Sequence, residues 1–116
     1  GSMSGRAVAA ADALLARGID VAVLHMPTIK PLDEQAVIAA ASRCRLVVAA
    51  EEHNRLGGLG SAVAECLAEH LPTRICRIGI ADRIGESGAD DQLLAAFGLD
   101  AQGIERQVLA AIDRFQ

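Results

Sequence analysis

The 116 residues carry 15 acidic and 11 basic side chains, a net charge of −4, and an apolar fraction of 52%. That length fits one compact α/β domain and not two, with about two thirds of the unfolded chain's surface buried on folding. The charge balance gives no basic stripe, and with two Phe and no Tyr or Trp there is no stacking platform, so nucleic-acid binding is excluded as an expectation. No apolar run approaches the roughly 20 residues of a membrane-spanning helix. The N-terminus lacks the basic-then-apolar order of a signal peptide, so a cytoplasmic location is expected. Cys44, Cys66 and Cys76 are widely spaced, odd in number and never in a CxxC pair, which reads as reduced, buried thiols. Gly1-Ser2-Met3 resembles a remnant of tag removal, leaving residues 4–116 as the domain.

From Arg6 to Arg17 the chain is Ala-rich, with Val8, Ala11, Leu14 and Leu15 on one side, and it ends in a cation followed by Gly18. This predicts a helix with a glycine C-cap. Ile19 to Met26 is β-branched and apolar and is bounded by Pro27, which predicts a buried strand. Pro27 and Pro31 hold the next segment extended. Asp33 then N-caps a helix from Glu34 to about Arg43.

Leu46 to Ala50 reads as a second strand, short and uniformly apolar as in a sheet covered on both faces. Glu51 to Gly58 reads as a loop. Leu59, Ala62, Val63, Cys66 and Leu67 then form a helical stripe. Pro72 closes that unit, and Arg74 to Ile80 alternates as a third strand. Ala81 to Gly88 reads as a polar loop, Asp90 caps a short helix to Phe97, and Gly98 ends it. Asp100 caps a last helix whose buried stripe is Ile104, Val108, Ala111, Ile112 and Phe115. Alternation of this kind predicts a three-layer α/β/α domain with a mainly parallel sheet and right-handed crossovers. Such units normally begin with a strand, whereas this chain opens on a helix.

The richest segment is EEHNRLGGLGSAVAE, residues 51–65. Two carboxylates, an imidazole and three glycines stand between a strand and a helix, where exposed N–H groups attract anions. Gly57, Gly58, Gly60 and Ser61 are therefore candidate anion-binding residues. The match to phosphate loops is poor, because no Lys-Ser/Thr pair follows and Val63 stands where a dinucleotide fingerprint has its third glycine. The simpler reading is a tight turn with close helix-to-sheet packing. Ser61 has no nucleophile elbow around it. His25, His53 and His70 share no metal-ligand spacing with one another or with the cysteines; His25 reads as a core or edge residue and His70 as a cation at a helix C-terminus. Glu52, His53, Asp82 and Arg83 fall in loops after strands, at the edge where open α/β sheets bind ligands or partners.

VLHMPTIKPLDEQAV (23–37), VVAAEEHNRLGGLGSAVAE (47–65) and IGIADRIGESGADDQLLAAFGLDAQGI (78–104) together resemble the C-terminal domain of transketolases. The wording is closest to bacterial transketolases divided into N- and C-terminal subunits. Deoxyxylulose-phosphate synthases and 2-oxoacid dehydrogenase beta subunits are related families. The resemblance implies an intact enzyme that moves a two-carbon ketol unit between sugar phosphates, with thiamine diphosphate and Mg held between a diphosphate-binding and a pyrimidine-binding domain. It assigns no catalytic, cofactor-binding or metal residue to this chain. The expected role is packing on the pyrimidine domain and contributing to a homodimer interface, with the isolated fragment inactive. The resemblance also implies an apolar strand just before the first helix, so the remaining strands are expected to pair directly, or a segment or another copy to fill the gap. Two other readings are a regulatory anion- or metabolite-binding module using residues 57–61, and a pure oligomerisation module.

Overall fold

The computed structural model describes residues 3–54, 58–80 and 98–114, with the side chains of residues 52–54 and 80 not described. In chain order these form α1 (Met3–Ala16), α2 (Glu34–Ala41), β1 (Leu46–Asn54), α3 (Leu59–His70), β2 (Arg74–Ile80) and α4 (Ala101–Arg114). No helix among the described residues is long and apolar enough to cross a membrane.

The helices start and stop where local chemistry asks. Ala36 N–H donates to Asp33 Oδ1 at 3.1 Å, and Gly103 N–H donates to Asp100 Oδ1 at 2.8 Å. Each bond satisfies one of the N–H groups that a helix start leaves without an internal partner. At the end of α1, Gly18 sits at φ +87°. Its N–H donates to Leu15 O at 2.9 Å, and Ile19 N–H reaches back to Leu14 O at 2.9 Å. Ile19 and Leu14 share one apolar cluster, so the turn is a Schellman motif with its hydrophobic contact in place. α2 is shorter than expected, because Ser42 caps it and Arg43 and Cys44 continue as a tighter turn onto Ala40 O and Ala41 O.

β1 and β2 pair in parallel, with Leu46 opposite Arg74 and Ala50 opposite Ile78. Neighbouring strand residues face opposite sides, as the period of two requires. Val48, Ala50, Cys76 and Ile78 belong to a cluster with Ala10 and Leu14 of α1 and with Leu99, Ile104 and Val108. Val47 and Ile75 belong to a second cluster with Val37 and Ala41 of α2 and Val63, Cys66 and Leu67 of α3. The result is three layers, α1 and α4 on one face of the sheet and α2 and α3 on the other. The expected α/β/α arrangement is the one observed, with a sheet of two strands among the described residues.

Three expectations are corrected. Ile19–Met26 is not a strand. A β-branched run favours extended backbone, but a strand exists only where a ladder partner satisfies its N–H and C=O groups. Here β1 and β2 pair with each other, and the segment joins no sheet among the described residues. Ile19, Val21 and Met26 pack on the two clusters, whereas Val23 and Leu24 are 41% and 47% exposed. His25 within it, expected as a core or edge residue, is exposed, and its Nδ1 shares a 2.7 Å hydrogen bond with Ser4 Oγ. The buried face of α1 is also turned from the expected one: Ala10, Ala11 and Leu14 are buried, and Val8 and Leu15 are exposed. Small side chains let α1 lie close to α4, so the Ala-rich face wins over the bulkier one. Finally, β1 runs on to Asn54, so residues 51–54 end a strand instead of forming a loop.

Candidate functional site

The C-terminal end of β1 and the start of α3 bring most of the sequence-predicted residues together. The register of β1 against β2 is regular to Ala50 and irregular between Ala50 and Asn54. Glu51 has the same strand parity as Ala49 and Val47, which places it on the α3 side of the sheet. Its carboxylate is buried, the residue being 7% exposed. It accepts from Leu59 N–H through Oε1 at 2.9 Å and from Gly60 N–H through Oε2 at 2.8 Å.

This pair explains how α3 begins. Its N-cap position is Gly58, which has no side chain to offer the first turn. A carboxylate from eight residues upstream supplies what Ser, Thr or Asp would give locally, and its charge complements the positive end of the helix dipole. A buried carboxylate is tolerated only with such partners. Gly60 is buried beneath Arg77 of β2: a Cβ there would stand 2.9 Å from Arg77 Cγ and Cδ. The glycine therefore lets the arginine stem lie across the helix start. Sequence reasoning took Glu51 for a loop residue and missed this role. The available signal was a carboxylate at the end of an apolar strand, followed by a glycine-led helix with no capping side chain.

Of the candidate residues, Gly58, Gly60 and Ser61 lie at the start of α3, and Glu52 and His53 lie at the end of β1. Gly57, Asp82, Arg83, the Gly85–Gly88 motif and the predicted helix at residues 90–97 fall outside the described residues.

Two open grooves flank the site. One, of about 350 Å³, runs beside α2 and α3 and includes Lys30, Glu34, Ser61, Glu65, Cys66 and Glu69. Burial first, then the nearby carboxylates of Glu34 and Glu69, push the Cys66 thiol above its ordinary value. It stays protonated at neutral pH, the opposite of what a nucleophile requires. His70 closes α3 as expected, with Nε2 at 3.8 Å from Glu34. The other groove, also about 350 Å³, lies between β2 and α4 and includes Arg77, Gln107 and Arg114. No three His, Cys, Asp or Glu among the described residues are grouped to hold a metal ion. What this arrangement does chemically is hold a helix start against a sheet.

Residues 1–104 match the family model described as transketolase, C-terminal domain. The chain belongs to that family. It is 43% identical over 114 residues to a 6-deoxy-6-sulfo-D-fructose transketolase subunit of Clostridium sp. (strain MSTE9), covering 98% of this chain and 35% of that protein. It is 50% identical over 103 residues to a 1-deoxy-D-xylulose-5-phosphate synthase of Syntrophotalea carbinolica, covering 88% of this chain and 16% of that protein. A solved split-gene transketolase, described as an inactive β4 tetramer, superposes with a TM-score of 0.85 at 39% identity over 96% of this chain and 35% of its own. The transketolase C-terminal fold thus accounts for the α/β layering seen here. The chain spans about a third of the split-type relatives and about a sixth of the synthase.

Proposed function

We propose that this chain is the architectural C-terminal domain of a thiamine-diphosphate-dependent transketolase-like enzyme, cytoplasmic and homodimeric, that transfers a two-carbon ketol unit between sugar phosphates. The observation that carries the reading is the family match over residues 1–104 to a C-terminal domain, in relatives most of whose length lies outside the aligned segment. Thiamine diphosphate and Mg²⁺ would be held by the diphosphate-binding and pyrimidine-binding domains of the same enzyme. The described residues do not fit a site for them, because no acidic or histidine cluster is grouped for a cation and the first N–H groups of α3 face a carboxylate. No step of ketol transfer is assigned to this chain; its contribution is a rigid α/β body for the other domains to pack on.

The same carboxylate favours this reading over a regulatory anion-binding module. Leu59 N–H and Gly60 N–H, the donors such a ligand would use, already bond Glu51. The test is calorimetric titration of the chain with thiamine diphosphate and Mg²⁺, alongside a ketol-transfer assay. No heat of binding and no transfer are expected alone, with transfer appearing when the chain is combined with the remainder of its enzyme. Binding of the cofactor by the chain alone would overturn the proposal. A thermal shift with phosphorylated metabolites would favour the regulatory module instead. Self-association is a separate question, answered by sedimentation: a concentration-dependent dimer supports an interface role, and a monomer at high concentration argues against it.

A further inference from the structure

We draw no further inference here: the strongest candidate, the exposed apolar side chains Val8 and Leu15 on α1 with Val23 and Leu24 in the segment after it, is an unpartnered surface and nothing in the structure shows what covers it.

Discussion

Replacing Glu51 by Ala removes both acceptors at the start of α3. Gly60 N–H lies in a buried bond, and an unsatisfied buried donor costs about 1–3 kcal/mol. Leu59 N–H is only part-buried, so water recovers some of that loss, leaving about 0.5–1 kcal/mol. The favourable charge at the positive helix end adds about 0.3–1 kcal/mol, although this overlaps with the bonds themselves. The expected cost is therefore about 2–4 kcal/mol, a large share of the roughly 5–15 kcal/mol that keeps a domain folded. Urea unfolding followed by circular dichroism measures it. With a slope of about 1.5 kcal/mol per M, the midpoint should fall by about 1.3–2.7 M with the slope unchanged. Glu51→Gln keeps one acceptor but turns an amide donor toward an N–H group, so it should lie between Ala and wild type. Glu65→Ala is the control, since it deletes a like charge from an exposed position within α3 itself and should move stability by no more than about 0.5 kcal/mol. A Glu51→Ala variant as stable as the Glu65→Ala control would refute the capping role.

Two glycines make a second test. A Cβ on Gly103 would stand 2.5 Å from the backbone C and O of Gly98, so Gly103→Ala should lower stability by about 1–3 kcal/mol. At Gly60 the contact is the stem of an exposed arginine, which can move aside. The gain in helix propensity, about 0.5–1 kcal/mol, then brings Gly60→Ala near neutral by the same unfolding measurement. Iodoacetamide should label exposed Cys44 quickly in the folded chain and leave buried Cys66 unreacted until unfolding, as peptide mapping would read. Burial raises the Cys66 thiol from its ordinary 9.0, so its contribution to stability is intact below pH 9.0 and is lost as the pH rises beyond it; a Cys66→Ala variant should lose stability less steeply as the pH rises above 9.0. Just past the end of α1, Arg17 Nε donates to Glu105 Oε2 of α4 at 2.7 Å, but the arginine side chain is 58% exposed. Arg17→Ala should therefore cost no more than about 1 kcal/mol, and less at high salt.

How legible the fold was depends on where each signal resides. Helix starts at Asp33 and Asp100 are local, and the cap bonds form where the sequence predicts them. The stripe through Val63, Cys66 and Leu67 is local too, and it is buried as expected. The segment Ile19–Met26 has the composition of a strand but lacks a partner, and pairing is a property of two segments that one segment's residues do not encode. The buried face of α1 was misjudged because the sequence ranks Val8 and Leu15 above alanine in apolarity, whereas close packing against α4 favours the smaller side. For the candidate site, the glycines at Gly58 and Gly60 stood out. The reason for them did not, because it joins residues eight and nine apart and depends on which face of the strand Glu51 takes. The family resemblance was legible because it rests on three long segments in order, and residues 1–104 match it.

The Glu51 carboxylate has a consequence for how such a helix start behaves toward solutes. A ring of free N–H groups binds whichever anion is nearest, and in this chain the nearest anion is tethered by its own backbone. A tethered ligand competes at an effective concentration in the millimolar range or above, so dilute phosphates or sulfates must displace it before they can bind. Removing the tether leaves the same receptor empty. Formate or acetate added to the Glu51→Ala protein would then act as a replacement part, restoring some of the lost stability with a saturable dependence on its concentration.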